Sequence, residues 1–214
     1  MLFNLSAQNT IANQFIAELR DETIQLDRAR FRRNMKRLGQ LMAYEISKTL
    51  KFENRDVKTP LGKSSIPVLE NLPVLVTVLR AGIPYFDGFL DYFDKSDCGF
   101  IGAYRQEGST EIVVQLDYLA CPIVNNRDVI LIDPMLATGK SFIQAVDSLL
   151  KHGTPSHLHI AALVAAPEGI AYVEKNLSVP YSIYTCSVDE NLNHHFYIVP
   201  GLGDAGDLSF GVKL

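Results

Sequence analysis

The spacing of apolar residues changes near residue 66 and divides the chain into two patterned regions. In the first region, apolar residues recur at helical spacing and predict helices over residues 9–20 and about 27–50. Residues 51–65 are polar and contain Pro60-Leu61-Gly62, which predicts an exposed connection. The chain therefore begins with two amphipathic helices whose apolar faces need a partner.

Short apolar runs alternate with helical patterns in the second region. The predicted strands span residues 74–79, 100–104, 129–132, 158–164 and 181–186, and the predicted helices lie near 83–94, 141–150 and 168–176. Strands that alternate with helices imply βαβ units. Residues 111–118 alternate weakly in polarity and predict an exposed hairpin or arm. We therefore predict the α/β class, with helices on both faces of one mostly parallel sheet.

The strand at residues 129–132 runs into an acid and then into a loop of small residues that opens a helix. Parallel sheets bind their ligands at the carboxyl ends of strands, and bare amides at a helix N-terminus suit a phosphate. A ribose 5-phosphate fits best, with the acid near the ribose hydroxyls, while an ordinary strand–turn–helix is the alternative. The candidate residues are Asp133, Pro134, Met135, Leu136, Ala137, Thr138, Gly139, Lys140 and Ser141.

Gly139-Lys140-Ser141 looks like the end of a P-loop, but the rest of that motif is missing. The motif requires a glycine five residues before its final Gly-Lys pair, and Pro134 stands there. Proline has a fixed φ and no N–H group, so it cannot replace that glycine. The segment therefore favours a sugar-phosphate site over a nucleoside-triphosphate hydrolase.

Composition narrows the class of partner. The net charge of −4 argues against nucleic acid or an anionic membrane as the main partner. We find neither a secretory signal nor an apolar run of membrane-spanning length, and Cys98, Cys121 and Cys186 have no zinc spacing. The histidines also lack metal spacing, and we expect them at the surface or at sheet edges. We predict a cytoplasmic protein with free thiols.

Two further features point to a phosphorylated ligand. Arg80 and Arg105 each end a predicted strand, on the same side of the sheet as Asp133, and an arginine fork suits phosphate oxygens. Residues 197–207 contain three glycines, a proline and two acids, a composition that brings backbone close to a ligand. Either arginine alone could be a surface ion pair, and the glycine-rich segment could be a loose tail. Together they favour a diphosphate clamp.

These motifs resemble those of the uracil phosphoribosyltransferase family over nearly the whole chain. Residues 133–139 resemble its loop for 5-phosphoribosyl-1-diphosphate (PRPP), and Leu79-Arg80-Ala81-Gly82 and Tyr104-Arg105 resemble its diphosphate-binding segments. Residues 164–169 and 197–207 also match, and the latter is the family's uracil-reading segment. Lys140 departs from the pattern, because the family usually has a second glycine there.

The resemblance implies transfer of the phosphoribosyl group of PRPP to uracil, giving UMP and diphosphate, with Mg²⁺ bound through PRPP. It assigns Arg80, Arg105, residues 133–141 and Asp204 to PRPP, and Ile198, Gly203, Asp204 and Ala205 to uracil. Asp204 could also approach the metal; catalytic roles fall to Arg80, Arg105, Asp133 and Asp204. A related nucleotide-sensing regulator without transfer activity is the alternative.

The resemblance also has consequences for architecture. It implies one domain over residues 1–214, with a core at about 66–187, helical or hood segments at about 1–50 and 188–214, and a β-arm at about 105–125. A homodimer built partly by this arm, or a higher homo-oligomer, is expected. Some relatives respond to GTP, and no residue here identifies a GTP site.

Overall fold

The computed structural model describes residues 1–105 and 114–212. Its strands are β1 (Leu2–Asn4), β2 (Phe52–Thr59), β3 (Gly62–Leu69), β4 (Val74–Leu79), β5 (Cys98–Arg105), β6 (Val114–Ala120), β7 (Asp128–Ile132), β8 (Met135–Leu136), β9 (His157–Ala165), β10 (Tyr181–Val188), β11 (Asn191–Leu192) and β12 (Ile198–Val199). Its α-helices are α1 (Ile11–Arg20), α2 (Arg28–Ser47), α3 (Ile83–Leu90), α4 (Lys140–Leu149), α5 (Pro167–Asn176) and α6 (Ala205–Phe210).

A mostly parallel sheet organises these elements, as the sequence predicts. Its strand order is β1-β10-β9-β7-β4-β5-β6, and β8 pairs with β9 beside this path. Every pair is parallel except that of β5 with β6. The carboxyl ends of β4, β5, β7, β9 and β10 therefore meet along one side of the sheet. We call this side the carboxyl edge and the opposite side the amino edge.

Helices cover both faces of the sheet, which confirms the predicted fold class. On one face, α1, α2 and α3 bury residues such as Phe31 and Phe89, while α4 and α5 bury Phe142 and Val173 on the other. Close packing of α2 on α3 depends on glycine, because a Cβ on Gly39 would lie only 2.2 Å from the Tyr85 carbonyl oxygen. The amphipathic patterns of the N-terminal region thus find their partner in the sheet.

The predicted exposed connection at residues 51–65 is wrong in one respect, because the segment is a β-hairpin. Strands β2 and β3 pair antiparallel from Phe52 with Leu69 to Thr59 with Gly62. The Thr59 hydroxyl accepts hydrogen bonds from the amides of Leu61 and Gly62 and so fixes the turn. Most residues of both strands are exposed on either face, so no alternation marks them in the sequence.

Smaller differences concern element ends. Strand β1, which pairs with β10, was not predicted, and α3 ends at Leu90 rather than near 94. Strand β6 pairs with β5, which agrees with a hairpin beginning in the predicted β-arm; residues 106–113 lie outside the described chain. Among the described helices, none is both long and apolar enough to cross a membrane.

Candidate active site

The first half of the predicted phosphate loop is fixed to the sheet. The Pro134 carbonyl accepts hydrogen bonds from the amides of Leu163 and Val164, both at 3.0 Å, and strand β8 pairs with β9. An Asp133 carboxylate oxygen accepts from the Met135 amide at 3.1 Å. Met135 and Leu136 therefore form a short strand where the sequence predicts only a loop, because their pairing depends on β9, far along the chain.

The second half of the loop presents backbone amides at the start of α4. Gly139 caps this helix with φ +77°, and a Cβ there would lie 2.7 Å from the Gly169 carbonyl oxygen. Only glycine combines this φ with such a close approach. Within the described chain, nothing accepts a hydrogen bond from the amides of Thr138, Gly139 or Ser141. This arrangement can bind a phosphate at the helix N-terminus.

Lys140 is the first residue of α4, and Ser141 follows it inside the helix. The Lys140 amide lies 3.4 Å from the Thr138 hydroxyl, a long hydrogen bond. Lys140 itself is half-buried. Its backbone therefore lies at the N-terminus of α4, where the helix dipole already favours anions. The positive charge of its ammonium group would add to the attraction for a phosphate.

The segment after β4 lies beside the end of β7. A Cβ on Gly82 would lie 3.2 Å from the Ile132 carbonyl oxygen and 2.2 Å from the Thr77 hydroxyl, so the turn packs directly on the strand that leads to Asp133. The peptide bond before Arg80 is cis. Arg80 follows β4 at the carboxyl edge, and its side chain is 45% exposed, so its guanidinium remains accessible to a ligand.

The glycine-rich C-terminal segment folds against the same turn. Ile198 is buried in β12, Gly203 has φ +88°, and Ala205, also buried, begins α6. Asp204 caps α6, since its Oδ1 accepts from the amides of Gly206 and Asp207 at 2.9 and 3.0 Å. A Cβ on Gly206 would lie 3.8 Å from the Ala81 Cβ. The predicted diphosphate and uracil segments are therefore neighbours.

Sequence reasoning missed the residues that hold this tail. The Asp189 carboxylate pairs with Arg20 at 2.5 Å and accepts from the Gly201 amide at 2.8 Å. Burial by itself would raise the pKa of Asp189, but hydrogen bonds from Arg20, Gly201 and Ser187 and the charge of Arg20 outweigh it and hold the pKa below its ordinary value. Arg20 and Asp189 are 169 residues apart, so no local pattern announces the pair.

Arg105 has a known place but no described side chain. It is the last residue of β5, parallel to β4, so its backbone lies at the carboxyl edge. Its predicted contact with diphosphate falls outside the described part of the chain. Within that part, no group of three or more histidine, cysteine or acidic side chains could hold a metal.

The expected surface position of the histidines is wrong for His159. Its side chain is buried on β9 at the amino edge, and neither ring nitrogen has a hydrogen-bond partner among the residues that the structure describes. Burial, helped by the neighbouring His157, lowers the pKa of His159 to about 4. His157 is partnered, with its Nε2 lying 3.0 Å from the Ser182 hydroxyl. Because β9 is buried on both faces, its sequence has no alternation that would show whether a histidine near its start is buried.

The parallel sheet defines the α/β class, and the amides before α4 together with Arg80 give its carboxyl edge groups that could hold a phosphorylated ligand. Comparison with known proteins gives the family. A sequence profile described as uracil phosphoribosyltransferase matches residues 6–212. A uracil phosphoribosyltransferase from Porphyromonas gingivalis is 43% identical over 214 residues, which cover 100% of this chain and 99% of that protein.

A uracil phosphoribosyltransferase from Lactococcus lactis is 43% identical over 185 residues, covering 86% of this chain and 87% of that protein. The solved structure of AQ2163 from Aquifex aeolicus has a TM-score of 0.89 and 29% identity, and each chain is covered completely. The chain described here belongs to the uracil phosphoribosyltransferase family.

Proposed function

We propose that this chain transfers the phosphoribosyl group of PRPP to N1 of uracil, producing UMP and diphosphate. The observation that carries the proposal is the contact between the two predicted substrate segments. Arg80, at the end of β4, bonds to Asp207 of α6 at 3.2 Å, and Ala81 packs on Gly206. A donor held at Arg80 and a base held by residues 198–205 would then be adjacent, as a transfer reaction requires.

The 5-phosphate is assigned to the amides of Thr138, Gly139 and Ser141, which no described residue engages. Asp133 follows the strand that ends at this loop, where its carboxylate can bind the ribose hydroxyls. The rest of the loop, from Pro134 to Ala137, is held in shape by the pairing of Met135 and Leu136 with β9. Lys140 either assists the phosphate or extends into solvent.

Uracil is assigned to the segment containing Ile198, Gly203, Asp204 and Ala205. Backbone N–H and C=O groups around Gly203 can read its edge, because a glycine with positive φ exposes its backbone. An amide aimed at uracil O4 would face an amino donor in cytosine. Leaving these donors unpaired costs about 1–3 kcal/mol each, so cytosine should react at least about tenfold more slowly.

The reaction breaks the bond between ribose C1 and diphosphate, and its transition state has oxocarbenium character. We assign Arg80 and Arg105 to the charge that develops on the departing diphosphate. Mg²⁺ held through PRPP would supply further neutralisation of that charge. Mg²⁺ keeps several waters and uses one or two carboxylates with substrate phosphates, a mode that Asp133 and Asp204 fit.

The proposal also covers the oligomeric state, an effector and the cellular compartment. We propose a homodimer or a higher homo-oligomer, in which the β-arm at residues 105–125 contributes. The described hairpin of β2 and β3 is a second surface for such contacts, since Phe52, Leu61 and Ile66 are exposed. GTP remains a proposed effector without an assigned site. Three free cysteines fit a reducing cytoplasm.

A product assay with a panel of bases tests this function. The protein is mixed with PRPP, Mg²⁺ and uracil, cytosine, adenine or hypoxanthine in parallel, and nucleotide products are separated by chromatography. We expect UMP and an equal amount of diphosphate with uracil, and at most about a tenth of that rate with cytosine. A regulator without transfer activity would bind nucleotide and form no product with any base.

A further inference from the structure

The ion pair between Arg80 and Asp207 links two segments that are 127 residues apart in the chain. Both partners are partly exposed, with side-chain exposures of 45% and 28%. A pair of this kind adds little to the stability of a fold. Its position is more informative. The pair joins Arg80, which is predicted to bind diphosphate, to helix α6, which begins at the predicted uracil segment.

Asp207 is well placed to hold the Arg80 guanidinium in one orientation. A single nitrogen, Nη2, contacts both the Asp207 carboxylate at 3.2 Å and the Gly211 carbonyl at 3.4 Å. Throughout the described chain, no residue engages Nε or Nη1 of Arg80. The guanidinium is therefore tethered at one end, while other donors stay available to the oxygens of a diphosphate.

The same aspartate is built into the base-binding end of α6. Its amide donates to Oδ1 of Asp204 at 3.0 Å, and its carbonyl accepts from the Gly211 amide at 2.8 Å. A displacement of Arg80 would therefore pull on the helix turn that Asp204 caps. On its other side, α6 is held by Arg32, which donates to the Ser209 carbonyl at 2.7 Å without contacting Arg80.

From this geometry we propose that Asp207 is a positioning residue that couples diphosphate binding at Arg80 to uracil binding at Asp204. The inference rests on the proposed function and adds a property to it. Binding of the diphosphate group at Arg80 fixes the Asp207 end of α6, and the turn at Asp204 then presents its backbone to uracil. Because coupling free energy is reciprocal, each substrate strengthens the binding of the other.

Initial rates over a matrix of uracil and PRPP concentrations measure this coupling. In the wild-type protein we expect the KM for uracil to fall at least about fivefold from low to saturating PRPP, the lower bound of typical coupling. In Asp207→Asn the ratio should approach one, and the KM for PRPP should rise about tenfold while kcat changes less than about threefold. The melting temperature should change little, because the pair is partly exposed.

Two variants control for simple damage to α6. Asp207→Glu keeps the charge and should restore part of the coupling, whereas Arg32→Gln loosens the other anchor of α6 and should leave the coupling ratio unchanged. For a variant that is too slow for rate measurements, calorimetric titration of PRPP with and without uracil gives the coupling directly.

The outcomes separate this inference from the proposed function. An inactive wild-type protein would refute the proposed function and the inference with it. An active wild-type protein without coupling, or an Asp207→Asn variant with wild-type coupling, would overturn the inference alone. Equal loss of coupling in Arg32→Gln and Asp207→Asn would also overturn it, since docking of α6 would then explain the effect.

Discussion

The two edges of the central sheet differ in the surroundings of their unpaired polar groups. At the carboxyl edge, the amides of Thr138, Gly139 and Ser141 lack acceptors within the described chain but stand at a helix N-terminus, where an anion can reach them. At the amino edge, the His159 ring also has no hydrogen-bond partner among the described residues, but it is buried in the core. Unpaired amides at a helix N-terminus can bind an anionic ligand, whereas an unpaired histidine inside the core makes the fold sensitive to acid.

Arg80→Gln should give the largest loss of activity. It tests whether the substrates bind and react at the carboxyl edge. Without the guanidinium, the charge on the departing diphosphate loses a donor, and we expect kcat/KM to fall about 10²-fold or more. Steady-state kinetics with PRPP and uracil measure the loss. Arg127→Gln is the matched control, because Arg127 also pairs with an aspartate, Asp97, at the amino edge. Equal losses in both variants would erase the distinction between the edges.

Glycine-to-alanine changes at both edges sharpen the comparison further. Gly139 (φ +77°) and Gly153 (φ +124°) each leave a Cβ only 2.7 Å from its nearest neighbour. Both variants should lose about 1–3 kcal/mol of unfolding free energy because alanine is strained at positive φ. Only Gly139→Ala should also raise the KM for PRPP, by about tenfold or more, because it displaces the backbone amides that are proposed to bind the 5-phosphate. Denaturant unfolding and kinetics distinguish the two effects, and a similar KM for both variants would refute the loop assignment.

Acid sensitivity should arise at the amino edge. The pKa of His159 is about 4 when folded and near its ordinary 6.5 when unfolded, so the unfolded chain binds the proton first as pH falls. Stability should therefore be independent of this group above pH 6.5 and decline by about 1.4 kcal/mol per unit between 6.5 and 4.

His159→Phe removes the titrating group and should flatten this decline by about 2 kcal/mol between pH 6.5 and 5. Urea unfolding of both proteins at several pH values measures the difference. The two curves should run parallel above pH 6.5, where the histidine is neutral in both states. Parallel curves below that pH as well would show that His159 does not control acid stability.

Asp204→Asn tests whether the carboxylate acts as a base toward uracil N1. Its Oδ1 already accepts two amide hydrogen bonds as the cap of α6, and asparagine caps helices about as well as aspartate. The fold of this segment should therefore persist in the variant. Because the neutral amide cannot replace the carboxylate near the metal-bound diphosphate, we expect kcat to fall about tenfold with the same dependence on pH. Turnover measured from pH 5 to 10 checks this expectation. If the fall in rate at low pH disappeared in the variant, proton transfer by Asp204 would instead be established.

Lys140→Met should give the smallest effect. A partly exposed ammonium near a phosphate dianion contributes up to about 1 kcal/mol, so the KM for PRPP should rise about threefold to fivefold. The effect should shrink at high salt, because exposed charges are screened. Initial rates at low and high ionic strength measure it. An unchanged KM at both would place the side chain in solvent.

The elements that can be predicted are those whose burial produces a recognisable pattern of apolar residues in the sequence. Strand β7 and helix α4 were readable because continuous and periodic apolar residues accompany their burial. The hairpin of β2 and β3 was not, because a strand exposed on both faces has no alternation. Strand β8 exists only through its pairing with β9, and such a contact is invisible to local patterns.

The candidate site divides in the same way. Asp133, Gly139 and Asp204 can be proposed as site residues from the sequence because each lies in a short recognisable motif. Arg20 and Asp189, which hold the tail, were missed because a pair 169 residues apart follows from the fold alone. The contact of Arg80 with Asp207 was likewise hidden, although both residues stand in recognisable segments.

Calorimetric titration of Mg²⁺ and PRPP into the protein is the most direct test of the claim that the carboxyl edge holds a sugar diphosphate. We predict saturable binding with one ligand per chain, strongly weakened in Arg80→Gln and in Gly139→Ala but retained in Arg127→Gln and in Gly153→Ala. Absence of binding heat in the wild-type protein at several temperatures, or equal affinity in all four variants, would contradict the account.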